Sequence, residues 1–178
     1  GVNGIELVLP CLGNIDFGIV GEPTGLEMAV AERGLMVIDC ITRGSAGHAA
    51  RNEGENALYK AIDDINWIRN YKFEKISELL GESRITVTVI ETENKQHNVM
   101  PGQCKFILDV RVNELYTFDE ILEPLKANLK SSFKPRTTRL KSTAISLDHP
   151  LVKAGIRMGK GYYGSSTTSD KALMPFPV

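Results

Sequence analysis

The chain has 178 residues, 42% of them hydrophobic and 24% charged, with a formal net charge of −1. That make-up belongs to a globular protein with enough chain for a core; it excludes a disordered polyelectrolyte and gives no support to a basic surface that captures nucleic acid regardless of sequence. No apolar run reaches the roughly 18 residues of a membrane-spanning helix, and Gly1 opens no charged-then-apolar signal pattern.

In chain order, an apolar stretch from Ile5 to Leu12 comes first, and Gly18 to Val20 then reads as a short buried strand ending at Gly21-Glu22-Pro23-Thr24. Leu35 to Ile41 reads as a strand. A polar elbow follows, and then Ala57, Leu58, Ala61, Ile62, Ile65 and Ile68 recur at helical spacing. Asn52 followed by Glu55 has the spacing of a capping box, which predicts a helix starting near Glu53. Ile85, Val87 and Val89 alternate with threonines as a half-buried strand does. Phe106, Leu108, Val110 and Val112 alternate in the same way, and the polar connection Asn94 to Gly102 lies between these two strands.

Thr117 and Glu120 form a capping pair for a second helix with Ile121, Leu122, Leu125 and Leu129 as its apolar stripe; Pro124 either kinks it or marks its first turn. Thr137 to Ser146 is the predicted last strand, and Pro150 to Met158 a final helix with Asp148 near its cap. The central order β-α-β-β-α-β is that of the ferredoxin-like arrangement, an antiparallel sheet with both helices on one face. The flanks, too short to bury a core by themselves, read as parts of a second α/β domain that this unit interrupts, so the overall class is α/β (α+β).

The three cysteines, Cys11, Cys40 and Cys104, are odd in number and irregular in spacing, which fits neither a disulfide framework nor a cysteine zinc site; reduced thiols in a cytoplasm are the simpler expectation. Lys134, Arg136, Arg139 and Lys141 read as a solvated strand face. His48 lies among Ser45, Ala46, Gly47, Ala49 and Ala50, where small residues let something approach the backbone, and spacing alone leaves open whether it serves chemistry or a turn hydrogen bond. Glu22, in a turn at a strand end, is either a hard-oxygen metal ligand or a solvated carboxylate. Asn98 and Arg111 are residue types that hold a substrate carboxylate, although such residues also pair with neighbouring strands. His97 adds one more imidazole. The histidines His48, His97 and His149 come without a His-x-Asp, a Glu-Glu pair or a His-Glu-x-x-His, so no complete zinc hydrolase site is visible.

Several separated motifs then occur together in register: Ile19 through Thr24, Arg33-Gly34, Gly44 through His48, Gly54-x-Asn56-Ala57, His97 through Gly102, Asp109-Val110-Arg111 and Thr168-Ser169-Asp170. In this order they resemble the M20 family of metallopeptidases and deacylases. The resemblance implies a zinc-bearing α/β catalytic domain (cobalt being a possible substitute) interrupted by a ferredoxin-like lid that forms a homodimer. It divides the chain into a partial catalytic segment 1–26, a lid 27–146 and a second partial catalytic segment 147–178. It makes Glu22 a terminal metal ligand, His48 the lid imidazole that stabilises an oxyanion in the partner's active site, and Asn98 and Arg111 substrate-binding residues.

The implied reaction is hydrolysis of a small N-acyl amino acid, with N-acetylornithine in arginine biosynthesis the first expectation and a desuccinylase, aminoacylase or dipeptidase the alternatives. The family's remaining metal ligands and general base have no counterpart here, so the chain, which also lacks an initiator methionine, is expected to be an internal piece. The competing expectation from a different class is a non-catalytic ferredoxin-like dimerisation or binding module. An RNA-binding module is disfavoured, because the strands lack stacking aromatics. Neither nucleic acid nor membrane is expected as a partner.

Overall fold

A computed structural model of the chain describes residues 4–51 and 53–178. In order, its regular elements are α1 (Gly4–Val8), β1 (Met28–Glu32), β2 (Gly34–Arg43), β3 (Gly47–His48), α2 (Ala57–Asn70), β4 (Ile76–Ser77), β5 (Gly81–Glu82), β6 (Arg84–Thr92), β7 (Val99–Met100), β8 (Gln103–Val112), α3 (Phe118–Asn128), β9 (Ser132–Pro135), β10 (Thr143–Ala144), α4 (Pro150–Arg157) and β11 (Tyr162–Ser165). Short 3-10 turns cover Leu9–Cys11, Ala49–Arg51 and Asp170–Leu173. Among the described residues no helix is long and apolar enough to cross a membrane.

The main sheet has the order β6-β8-β2-β9, every neighbour antiparallel. That is the ferredoxin-like topology: the first and third strands lie at the centre, and both helices cover one face. Strand alternation explains the division of that sheet into two faces. Met36, Ile38 and Cys40 of β2 and Phe106, Leu108 and Val110 of β8 point inward and are buried against Ala57, Ala61 and Ile68 of α2 and Ile121, Leu122 and Leu125 of α3. Among the described residues the opposite face carries neither α2 nor α3. Each fully buried large apolar side chain contributes about 1.5–3 kcal/mol of transfer free energy.

Four local expectations are corrected. Helix α2 begins at Ala57, where the Asn56 side chain caps the Leu58 N–H at 2.9 Å; Asn52, the expected cap, lies outside the described residues. In β6 the register slips between Val87 and Val89, so Val87 faces Leu108 on the inner side whereas Val89 faces Ile107 on the outer side. Regular alternation would have kept Val89 inside.

The last strand of the main sheet is Ser132–Pro135 instead of Thr137 to Ser146. The cause is Asp64, buried on α2, whose two carboxylate oxygens accept the Lys130 and Ser131 N–H groups at 2.9 and 2.8 Å and so fix where the chain leaves α3. Gly18 to Val20 forms no strand; Gly18 donates to the Pro177 carbonyl at 2.8 Å instead. Helix α3, by contrast, has the full Thr117–Glu120 capping box, and Pro124 lies inside it. Helix α4 starts next to Asp148, as expected; its cap is His149, whose Nδ1 accepts the Leu151 N–H.

A second sheet, of order β10-β1-β11, joins the flanks, with β1 and β11 parallel. Met28–Glu32 and Thr143–Ala144, inside the span 27–146 expected for the lid, hydrogen-bond in this sheet. Its core is small: Val30, Ile145 and Val152, with Met28, Leu79 and Leu151 against them. All three cysteines are free thiols, Cys40 and Cys104 buried and Cys11 exposed. Burial, aided by the charges of Asp64 and Asp39, pushes the Cys40 thiol up to about 12, so it is chemically inert at neutral pH.

Candidate functional site

The His48 loop is built by close backbone packing. Ser45 and Glu55 exchange N–H to C=O bonds at 2.9 Å in both directions, closing the loop at its base. Gly47 is obligatory, because a Cβ there would lie 2.1 Å from the Glu53 carbonyl oxygen. Gly54 has φ +88°, the left-handed region, and its Cβ would lie 2.4 Å from the Ser45 carbonyl oxygen. The small residues noticed in the sequence therefore let the loop fold upon itself.

His48 pairs with Val99 in the β3–β7 ladder, and the Ala49 N–H donates to the Asn98 carbonyl at 2.9 Å. Two more bonds brace this pairing: Asn94 Nδ2 donates to the Val99 carbonyl at 3.3 Å, and Glu93 Oε1 accepts the Gly102 N–H at 2.9 Å. The Ala50 N–H donates to His48 Nδ1 at 3.2 Å. A ring whose Nδ1 accepts carries its proton on Nε2, so the half-buried neutral imidazole is assigned as a donor through Nε2. Asn98 is exposed in the turn before β7, and its side-chain amide hydrogen-bonds to no other described residue. Beside the loop lies an open cleft of about 930 Å³, lined among others by Gly54, Asn56, Tyr59 and Met100.

Arg111 is elsewhere. It faces Leu35 near one end of β2, whereas the His48 loop leaves the other end after Arg43, which faces Gln103. The eight-residue separation along β8 amounts to roughly 26 Å. Arg111 Nε and Nη2 bind Asp109 bidentately at 2.7 and 3.0 Å. Glu22 is exposed, in the irregular segment before β1, and lines a mostly apolar cavity of about 400 Å³ with Glu32, Val152 and Lys171. Thus His48 and Asn98 come together, while Arg111 and Glu22 lie on the side of the molecule where the flanks attach. Among the described residues no group of three or more His, Cys, Asp and Glu side chains stands close enough to hold a metal ion, so Glu22 alone does not make a metal site.

The junction between the two sheets brings together two of the sequence motifs, Arg33-Gly34 and Thr168-Ser169-Asp170, whose meeting no local pattern marked. Glu32 is buried, and its Oε2 accepts both the Ser169 N–H and the Ser169 hydroxyl, at 2.9 and 2.7 Å. The Thr168 hydroxyl donates to the Arg33 carbonyl at 2.6 Å, and Lys171, also buried, donates from Nζ to the Ala29 carbonyl at 2.8 Å. Burial holds the Lys171 ammonium below its ordinary value, opposed by the Glu32 charge. Glu32 itself stood out only as a charge directly after the apolar run Met28 to Ala31. Two residues of the basic patch form ion pairs, Arg136 with Asp39 and Arg139 with Glu6.

A family model described as a peptidase dimerisation domain matches residues 30–137, more than half of the chain. The chain therefore belongs to the M20 peptidase family, through its dimerisation domain. Among curated relatives, the succinyl-diaminopimelate desuccinylase of Wolbachia pipientis wMel is 30% identical over 124 residues, covering 64% of this chain and 31% of its own length. The protein of the same name from Pelagibacter ubique is 30% identical over 151 residues, covering 79% and 38%. This chain spans about a third of the length of these relatives.

Among solved structures, a tripeptidase of Staphylococcus aureus Mu50 superposes with a TM-score of 0.67 at 16% identity, over 90% of this chain and 46% of that one. The Bacillus subtilis YXEP protein, described as a dinuclear metal binding peptidase from the M20 family, gives 0.54 at 15% identity, over 83% and 38%. At such identities these structures bear on the fold alone.

Proposed function

We propose that the protein carrying this chain is a dimeric, metal-dependent amidohydrolase that removes the acyl group from a small N-acyl amino acid. The observation that carries this is the His48 loop: a rigid, doubly braced turn that presents an imidazole with Nδ1 already occupied and Nε2 free to donate. A donor held in advance toward a developing oxyanion stabilises the transition state far more than a mobile one, because no reorganisation is required. His48 is the oxyanion donor, and Asn98 beside it holds the amide or carboxylate of the same substrate. Arg111, at the far end of the sheet, binds substrate at the other active site of the dimer. One lid thus serves two sites.

Glu22 is proposed as one carboxylate of the metal centre, zinc in the first instance. The other ligands belong to the part of the relatives' length that this chain does not span. When bound, the metal supplies an activated water and polarises the amide carbonyl. The division into segments 1–26, 27–146 and 147–178 is part of the same proposal. The dimer contact is assigned to the long open edge β6 and the adjacent helix α2, where Val89, Ile90, Tyr59 and Ile62 remain exposed. N-acetylornithine and an N-succinylated amino acid are the two substrates to compare, the second being favoured by the names of the relatives.

In the whole enzyme, His48→Ala is expected to lower kcat about 10²–10³-fold while sizing shows an intact dimer. Mixing that variant with Glu22→Ala must restore activity, since one site in each mixed dimer then has an intact Glu22 and the partner's intact imidazole. Absence of restoration, or an unchanged kcat in His48→Ala, refutes the assignment.

A further inference from the structure

The corner near Arg33 of the sheet face opposite α2 and α3 holds more positive charge than the protein itself neutralises. Register sets Arg84 directly opposite Arg111 in the β6–β8 ladder, with Leu35 opposite Arg111 on the other side. Arg33, two residues before Leu35, falls on the same face. Like charges directly opposite each other in an antiparallel ladder destabilise it. One carboxylate answers them: Asp109 binds Arg111 bidentately.

Arg33 spends one guanidinium N–H on the Leu80 carbonyl. The Arg84 side chain makes no hydrogen bond or ion pair with any described residue, although it lies within electrostatic reach of Arg33. Burial first, and then the charges of Arg84 and Arg111, hold the Arg33 guanidinium below its ordinary value.

The corner is firmly built. Asn113 Nδ2 donates to the Lys75 and Gly81 carbonyls at 2.9 and 2.8 Å, fixing the strap that carries Leu80. The Arg33 N–H donates to the Ser165 carbonyl at 3.2 Å, and its carbonyl accepts the Thr168 hydroxyl. The guanidiniums therefore stand at the junction of the two sheets, on a frame that holds them together against their repulsion. A single substrate carboxylate on Arg111 still leaves one guanidinium unmatched, whereas a second carboxylate on the same substrate matches it. An acetyl group offers Arg84 nothing; a dicarboxylic acyl group offers a planar oxygen pair that suits the guanidinium fork.

We propose that Arg84 is a specificity-determining residue which, with Arg33 and Arg111, seats the free carboxylate of a dicarboxylic acyl group, so that the enzyme selects N-succinyl over N-acetyl amino acids. This rests on the amidohydrolase reading above, and the test separates the two. In the whole enzyme, Arg84→Ala is expected to raise KM for N-succinylornithine about tenfold or more, with kcat within twofold and KM for N-acetylornithine unchanged; Arg84→Lys recovers part of the loss. Equal effects on both substrates, or none, overturn the proposal.

Calorimetric titration of the 178-residue chain with succinate and with acetate decides the seat without catalysis. Succinate is expected to bind at least tenfold more tightly than acetate, and Arg84→Ala to abolish the difference. No succinate binding, or equal binding of sulfate, overturns it. If the enzyme hydrolyses neither amide, the amidohydrolase reading fails and the titration still decides the anion seat.

Discussion

Leu108 in β8 and Val152 in α4 are almost equally hidden from water, at 0% and 2% exposure, yet they belong to cores of different depth. Leu108 sits in a continuous cluster shared by two strands and two helices, whereas Val152 has only Val30, Ile145 and a few half-buried neighbours around it. The flanks also leave Phe17, Ile19, Leu26, Ile156 and Met158 exposed, Ile19 at 78% and Met158 at 76%. The difference teaches where stability resides. The ferredoxin-like unit has a large shared core, while the flanking sheet has a small one and is tied to the main sheet by contacts such as Glu32–Ser169 and Arg33–Thr168.

That contrast is breakable. Leu108→Ala removes packing on every side and is expected to cost about 3 kcal/mol, lowering the midpoint of the whole thermal transition. Val152→Ala is expected to cost about half as much and to appear as lost hydrogen-exchange protection in β1, β10 and β11, with the main sheet unaffected. Equal losses of protection in both sheets would show that the two units unfold as one.

Smaller changes sharpen the comparison inside the stable unit. Thr117→Ala deletes half of the α3 capping box and should cost about 1 kcal/mol, a shift of about 2–4 °C in Tm by calorimetry. Glu120 gives the weakest and most specific signal. Its contact with Lys75, and then the Thr117 N–H and hydroxyl, hold its carboxyl down at about 2. Because the folded value lies below the unfolded one, the stabilisation is complete above about pH 4.5 and is lost as the pH falls toward 2. A carboxyl carbon titration by NMR should place its midpoint near 2, and a midpoint near the ordinary glutamate value would remove Lys75 from the cap.

Much of the lid was legible because its signals are local. The alternation Phe106-Leu108-Val110-Val112 names a strand and its buried face, and Thr117-x-x-Glu120 names a helix start, since each depends on neighbours a few residues away. The motif around His48 correctly marked a loop of close backbone approach. The slip at Val87 and Val89 was not legible, because a bulge is decided by the partner strand. Nor was the last strand, which is set by Asp64, 67 residues before Ser131 in the chain. The same reason hid the arginine corner: Arg33, Arg84 and Arg111 look unrelated until the register puts them side by side.

By itself, then, the sequence determined the order of the central β-α-β-β-α-β elements, the faces of most of their strands and helices, and the tight loop that holds His48, all consequences of short-range sterics and of periodicity in hydrophobic burial. Only the tertiary structure decided which side chains meet, because pairing across strands joins residues whose separation along the chain carries no local trace. That is why His48 and Asn98 share one end of the sheet, why Arg111 lies at the other, and why Arg84 waits opposite it for a negative charge.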